Sequence, residues 1–277
     1  MIVNMGTVWD RTTEFLSDNL SALTPVALAA IFLPQAISNA LEQASPAFGV
    51  GVVQVVGLVC ALITLWGQLA IVALALDPDA GSRSAQAAAT RAYGRALLVM
   101  IVLFVAVAVL ALPILGVLAA SGVDLTQWAG TGAVAMAPDI SLGAGTFLSL
   151  YGIALLIVLL FVAVRLVPVY PVILAEGKGL AAIGRSFAVT RGITWKLVGV
   201  YLLFLLVFAV AAGAARSVFG SIVGLIAPGD GPFAAAAIVT ALVGALVTTV
   251  FTVVVAAFSA KLYRAVIASR SAPSAIA

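Results

Sequence analysis

Six long runs of apolar residues, separated by short polar connections, constrain this chain more than any other feature of its sequence. Each run has roughly the 20 residues that an α-helix needs to cross the hydrocarbon core of a bilayer. The runs cover residues 24–42, 50–76, 96–120, 146–174, 197–215 and 233–259. We therefore predict an all-α fold, that of a polytopic membrane protein with about six transmembrane helices.

The composition leaves little room for a soluble domain beside these runs. Only 8% of the 277 residues are charged, whereas a soluble domain has about 25%. We expect a single membrane domain over residues 1–268, followed by a flexible C-terminal tail over 269–277. Pro25 and Pro34 interrupt the first run, and we expect a kink there.

Lys and Arg residues are distributed unevenly between the connections. If six spans alternate in direction, one side of the membrane receives Arg11, Arg83, Arg91, Arg95, Lys178, Arg185, Arg191, Lys196, Lys261, Arg264 and Arg270. The other side receives Glu42, Asp124, Asp139, Asp230 and one basic residue, Arg216. Because cytoplasmic connections are enriched in Lys and Arg, we expect both termini to be cytoplasmic. Topology accounts for the net charge of +3, and we expect no nucleic-acid partner.

The segment ahead of the first span, over residues 7–23, has the pattern of an amphipathic interfacial helix with Thr7 as its N-cap. Its apolar face comprises Val8, Trp9, Phe15, Leu16, Leu20 and Leu23. Its polar face comprises Asp10, Glu14, Ser17 and Asp18. We expect the helix to lie flat on the membrane. Because this polar face is acidic, we also expect it to dock against a basic neighbour.

Two further segments, over 82–93 and 179–191, also predict cytoplasmic interfacial helices, the latter ending at Gly192. Thr-Arg recurs in them at 90–91 and 190–191, each time just ahead of a span. This recurrence predicts an internal repeat of three units, each an interfacial helix followed by two spans, beginning near residues 7, 82 and 179.

Two segments between spans have a different character. Residues 121–145, which include Trp128 and Pro138, are rich in Gly and Ala and predict a loop. Ser217–Pro228 is apolar but too short to span a membrane, and we expect a re-entrant or interfacial piece.

Arg165 is a charged residue inside the fourth run. A charge at this depth is costly, so it marks a function, a partner or a buried network, unless the side chain snorkels to the headgroups. Glu176 could supply a carboxylate partner. A straight helix would separate the two residues by about 16 Å, so pairing would need a bend at Pro168 and Pro171.

The residues that follow Arg165 form a recognisable string. It reads Arg165-x-x-Pro168, Glu176-Gly-x-Gly179, Ala182, Arg185-Ser186, Thr190-Arg191-Gly192 and Trp195-Lys196. This string resembles the signature of the glycerophosphoryl diester phosphodiesterase membrane-domain family and related bacterial inner-membrane proteins, although Phe187 stands where many members have Trp. The resemblance implies a bacterial inner-membrane location. We expect no soluble hydrolase domain here.

Catalytic patterns are missing from the sequence. Phosphodiester hydrolases of the kind after which the family is named use histidine and acidic metal clusters, and this sequence has no histidine. No Gly-x-Ser-x-Gly elbow or phosphate-binding glycine loop with its Lys occurs either. We therefore expect a protein that is not an enzyme and has no catalytic residue, no metal and no cofactor.

Headgroup contacts are the candidate functional residues, because each basic residue near an anionic leaflet contributes about 1 kcal/mol. They are Arg91, Arg95, Arg165, Glu176, Lys178, Arg185, Arg191, Trp195 and Lys196. These charges could also serve topology alone. We expect a protein that organises membrane lipids, chiefly anionic headgroups, or a membrane-protein partner through its cytoplasmic interfacial helices. The alternative is a transporter or accessory permease for a lipid-like or amphipathic substrate.

Overall fold

The computed structural model describes residues 4–44, 48–123, 141–227, 229 and 234–271, and within these ranges the chain is helical and contains no strand. The helices are α1 (Met5–Asp18), α2 (Leu20–Ala27), α3 (Leu33–Gln43), α4 (Val50–Leu76), α5 (Gly81–Ala120), α6 (Leu142–Leu166), α7 (Val169–Glu176), α8 (Ala181–Val189), α9 (Thr194–Ile226) and α10 (Ala235–Ser271). Asp124, Trp128, Pro138, Asp139, Pro228 and Asp230, which the sequence analysis considered, lie outside the described residues.

Six stretches of the described chain are helical, long and apolar enough to cross a membrane. They are Leu20–Gln43, Val50–Leu76, Pro78–Ala120, Leu142–Glu176, Thr194–Ile226 and Ala235–Arg270. Each coincides with one of the six apolar runs. The predicted all-α, multi-pass architecture is therefore confirmed.

Several helices are longer than the sequence predicts. The segment over 82–93 is not a separate interfacial helix, because it forms the first turns of α5, whose 40 residues extend about 60 Å. Ser217 to Ile226 continues α9 without a break, so the prediction of a re-entrant or interfacial piece there is wrong. Both segments are free of proline, and the alanines of the first favour continuation of the helix. α10 reaches Ser271 and so includes the first residues of the predicted tail.

The amphipathic N-terminal segment forms α1, but its boundaries differ from the prediction. Asn4, not Thr7, is the N-cap, since the Asn4 side chain accepts a hydrogen bond of 2.9 Å from the backbone N–H of Gly6. The helix ends at Asp18. α1 packs against α10, where the Lys261 ammonium lies 4.5 Å from the centre of the Phe15 ring. Because Phe15 belongs to the apolar face of α1, this contact leaves the docking of the acidic face against a basic neighbour a prediction.

A π-helical turn over Leu28–Phe32 interrupts the first span, where the prolines predict a distortion. The N–H of Leu33 donates to the carbonyl of Leu28, five residues earlier. Pro34 explains this turn, because a proline ring clashes with the carbonyl four residues before it, here that of Ala30, in a regular α-helix. The Ala30 carbonyl faces α4 at Gly67, where an added Cβ would lie 3.1 Å from the carbonyl oxygen and 2.8 Å from the Ala30 Cβ.

The core lies toward one end of the bundle, which we call the basic end. There α4, α7 and α10 end and α5, α8 and α9 begin. The fully buried side chains Ile173, Leu197, Phe258 and Leu262 pack together in this half. The far halves of α5, α6 and α9 expose large apolar side chains such as Phe104, at 73%. In a membrane these exposed faces are covered by lipid.

We predict that Gly67→Ala destabilises the protein, because the added methyl group would overlap the backbone and Cβ of Ala30. Overpacking of this kind costs about 1–3 kcal/mol. The measurement is thermal unfolding in detergent, followed by tryptophan fluorescence. Gly57→Ala is the matched control in the same helix, since its new Cβ meets nothing within 4 Å. Equal unfolding temperatures for the two variants would contradict the close contact.

Candidate functional site: the basic end of the bundle

The Glu176 carboxylate is the centre of a polar cluster at the basic end. It accepts hydrogen bonds from Lys178 Nζ at 2.7 Å, Arg185 Nε at 2.8 Å and the hydroxyl of Tyr263 at 3.0 Å. The Glu176 side chain is 17% exposed, and Tyr263 is buried. The cluster therefore joins α7, α8 and α10 through one carboxylate.

Local sequence places Glu176 at this point. Pro168 interrupts the fourth span between α6 and α7, and Gly177 ends α7 in the left-handed conformation, with φ of 64°. Glycine adopts this conformation without a steric penalty. The turn exposes the Gly177 carbonyl, to which Arg95 Nη1 of α5 donates a hydrogen bond.

Arg185 supplies the permanent countercharge. Hydrogen bonding to the Glu176 carboxylate, aided by their charge attraction, raises the pKa of Arg185 above its ordinary value, against the opposing effect of burial. Because an arginine remains protonated throughout the pH range in which proteins fold, Glu176 always has a cationic partner while α8 is docked. The pair is thus a structural ion pair.

Other cations at the basic end cap the C-termini of helices. Lys261 Nζ donates to the Ala75 carbonyl at 3.0 Å and Arg264 Nη1 to the Leu76 carbonyl at 2.8 Å, both in the last turn of α4. Arg270 Nη2 donates to the last carbonyls of α8, those of Ala188 and Val189. Terminal carbonyls have no partner within their own helix and carry partial negative charge. These cations therefore supply both the missing hydrogen bonds and a compensating positive charge.

Arg165 has a different environment from the other charged residues. Its guanidinium carbon lies 4.9 Å from the centre of the Phe161 ring and 5.4 Å from that of Phe187. Its Nε is buried and has no hydrogen-bond partner among the described residues. The Arg165–Glu176 pair considered from the sequence is not formed, because Glu176 is directed toward α8 and α10. Ser186 binds only the backbone carbonyl of Arg165, at 2.6 Å.

Trp195 and Lys196 lie beside this region at the start of α9. Trp195 is 80% exposed and its ring meets that of Phe161 edge-on at 6.4 Å. Lys196 lines a groove of about 620 Å³ together with Asn4 and Trp195. A second groove, of about 530 Å³, is apolar and is lined by Trp9, Phe204 and Phe258 among others. The two grooves share Met5, Val200 and Leu203 in their linings, so they are adjacent along α9.

The structure divides the residues proposed from sequence into two groups. The group brought together by hydrogen bonds comprises Arg95, Glu176, Lys178 and Arg185. The other group comprises Arg91, Arg165, Arg191, Trp195 and Lys196. The side chains of this group make no hydrogen bond to the described residues. Arg91, Arg191 and Lys196 are exposed. The cations of this second group have no hydrogen bond to the described protein that an external anion would need to displace.

Sequence reasoning missed Tyr263 as a member of the Glu176 cluster. Next to Arg264, it has the pattern of an interfacial anchor, but it is 7% exposed and donates its hydroxyl to Glu176. One signal could have suggested otherwise: Tyr263 falls on the same helical face of α10 as the buried residues Ser259 and Val266, four and three positions away.

Comparisons with protein-family models, with curated proteins and with solved structures find no match to this chain. The resemblance to the glycerophosphoryl diester phosphodiesterase membrane domain therefore stays a prediction. Within the described part of the chain, no group of three or more His, Cys, Asp or Glu residues could hold a metal ion.

We predict that Glu176→Gln lowers the free energy of unfolding by about 1.5–3 kcal/mol, the usual contribution of a hydrogen bond to a charged group. The amide keeps the shape of the side chain but leaves Arg185 without a countercharge. Thermal unfolding in detergent measures the effect. Lys178→Gln is the control, because it removes only the more exposed partner, at 43%, and should cost no more than about 1 kcal/mol. A Glu176→Gln loss no larger than that of the control would refute the central role of Glu176.

Proposed function

We propose that this protein is a non-catalytic, multi-pass protein of the bacterial inner membrane that organises anionic lipid at its basic end. The observation that carries the proposal is Arg165, a cation that is partly enclosed by Phe161 and Phe187 yet has no carboxylate partner among the described residues. The side chain is half-buried, and its buried Nε lacks a hydrogen bond, which is unfavourable. The phosphate of a lipid headgroup is an anion available at that depth.

The surroundings of Arg165 support a lipid as the source of this phosphate. Trp195 is highly exposed next to Phe161, and tryptophan favours the headgroup region of a membrane. Lys196, one residue further, adds a second free cation, and the adjacent apolar groove along Trp9 and Phe204 offers space for an acyl chain. A headgroup near Lys196 and a chain in this groove would match a phospholipid in both charge and polarity.

The proposed orientation follows from the same distribution of charge. Lys and Arg are concentrated at the basic end, which includes α8 and both described chain ends. Since cytoplasmic regions of inner-membrane proteins are enriched in these residues, we place the basic end and both termini in the cytoplasm. The anionic headgroups of that leaflet would then face the free cations directly.

We predict that Arg165→Gln reduces the retention of anionic phospholipid by about fivefold, which corresponds to about 1 kcal/mol for one charge near the headgroups. The measurement is native mass spectrometry of protein purified from micelles that contain equal amounts of phosphatidylglycerol and phosphatidylcholine. Arg165→Lys, which keeps the charge, should retain most of the lipid.

Lys178→Gln is the matched control for this experiment. It removes one positive charge from the same end of the bundle, but from a residue already paired with Glu176 at 2.7 Å, so lipid retention should hardly change. If Arg165→Gln and Lys178→Gln lose phosphatidylglycerol equally, or if neither does, Arg165 is not a headgroup site.

Transport of a lipid-like substrate is a second candidate function, and one observation favours it. A cavity of about 540 Å³ lies among the spans, with linings from α4, α5, α6, α7, α9 and α10. Its size falls in the range of small-molecule sites. If the protein is a transporter, it should accelerate movement of a fluorescent phospholipid between the leaflets of reconstituted vesicles. A rate equal to that of protein-free vesicles would exclude this candidate.

A further inference from the structure

The cavity among the spans is elongated along α10 and differs in character from the grooves at the basic end. Its lining on α10 runs from Ser259 to Thr248, eleven residues or about 16 Å of helix. Ser259 lies one turn before Tyr263, which binds Glu176 at the basic end. One end of the cavity therefore lies near the Glu176 cluster, and the other lies deeper among the spans.

Four polar side chains in the lining have no hydrogen-bond partner among the described residues. They are Gln68 of α4, Tyr170 of α7, Tyr201 of α9 and Thr248 of α10. Thr252 and Ser259, by contrast, donate their hydroxyls to carbonyls of their own helix. All four side chains without a partner are half-buried, and their polar atoms are accessible from the cavity. Between membrane spans no bulk water is present to bond them, and a polar group left without a hydrogen bond costs about 1–3 kcal/mol. Gln68, Tyr170 and Tyr201, from three helices around one cavity, therefore indicate a ligand that hydrogen-bonds to them.

Two of the polar side chains without partners lie toward the basic end of the cavity, whereas Thr248 lies at its deep end. Tyr170 belongs to the short helix that ends at Glu176, and Tyr201 lies in the third turn of α9, so both are at the basic end of the cavity. Leu205, Phe208 and Phe251 lie further from that end. The ligand would therefore have a polar group directed toward the basic end and an apolar chain directed into the spans.

The charge of the lining restricts the polar group further. All the described residues that line the cavity are uncharged. An ionised carboxylate or phosphate would have no countercharge here, and burial of an isolated charge is strongly unfavourable. Glutamine and tyrosine can both donate and accept hydrogen bonds, which suits a neutral hydroxyl, ester or amide.

We propose that this cavity binds one single-chain amphipathic lipid with an uncharged, oxygen-bearing head, such as a monoacylglycerol. The head hydrogen-bonds to Gln68, Tyr170 and Tyr201, and the alkyl chain occupies the space beside Phe208 and Phe251. Neither Arg165 nor Lys196 lines this cavity, which among the described residues shares only Phe204 and Phe251 with the outer apolar groove. Transport would need such a site, but binding here does not require transport.

The test uses the full chain in phosphatidylcholine nanodiscs with a monoacylglycerol probe that carries a diazirine in its alkyl chain. After illumination, mass spectrometry should place the crosslink on Leu205 or Phe208, which line the cavity and not the outer apolar groove. An excess of 1-monooleoylglycerol should abolish labelling, whereas oleate at pH 9, where it is ionised, should not. Competition by both compounds to the same extent would overturn the uncharged head.

Two neighbouring residues of α10 provide a matched pair of variants. Val255 lines the cavity and Val254 lines the outer apolar groove. Val255→Trp should fill the cavity and remove at least nine-tenths of the crosslinking, while Val254→Trp should leave it unchanged. Equal labelling of the two variants would overturn the assignment of the site to this cavity.

Tyr201→Phe is a milder variant that removes a single oxygen atom and keeps the ring. Loss of one neutral hydrogen bond should weaken the competition by 1-monooleoylglycerol about fivefold. An unchanged competition curve would remove Tyr201 from the site. Phosphatidylglycerol retention, measured as for Arg165→Gln, should be the same in Val255→Trp and the unmodified protein. The two experiments therefore test the cavity and the anionic headgroup site separately.

Discussion

Glu176 imposes the main electrostatic constraint at the basic end of this bundle. One carboxylate of α7 accepts hydrogen bonds from a lysine of the following turn, an arginine of α8 and a tyrosine of α10. The turn that follows it is held by Arg95. Because lipid tails provide no hydrophobic force that drives helices together, polar contacts at the membrane surface have a large share in fixing how α7, α8 and α10 meet. The dense packing around Ile173 and Leu262 lies next to these contacts.

Many Lys and Arg side chains at the basic end bind acceptors within the protein, and the others are available to bind other molecules. Arg95, Arg185, Lys261, Arg264 and Arg270 all bind carbonyls or a carboxylate of the chain itself. Sequence alone treats every basic residue at this end as equivalent. The hydrogen bonds separate helix caps and ion-pair partners from free cations, and this separation is why the proposed headgroup site centres on Arg165 and Lys196 and not on the whole basic end.

The sequence predicts the features that depend on local pattern. The length of the apolar runs predicts six spans, and the prolines predict a distortion in the first of them. Features that depend on distant contacts were not predicted. The rotation of α10 that brings Tyr263 to Glu176 is set by packing across the bundle, 87 residues away in sequence. The cavity is likewise formed by six helices, from α4 to α10, that come from distant parts of the chain.

The π turn in the first span also determines how α3 is rotated about its axis relative to α2. Each residue of an α-helix advances the direction of its side chain by about 100°, so one residue accommodated in the wider turn over Leu28–Phe32 turns all of α3 relative to α2. Asn39 lies beyond this turn, and its amide reaches the carbonyl of Ala241 on α10 at 3.2 Å. In a regular helix the same amide would be directed about a quarter turn away. The proline at position 34 thus sets which helix α3 faces at the far end of the bundle.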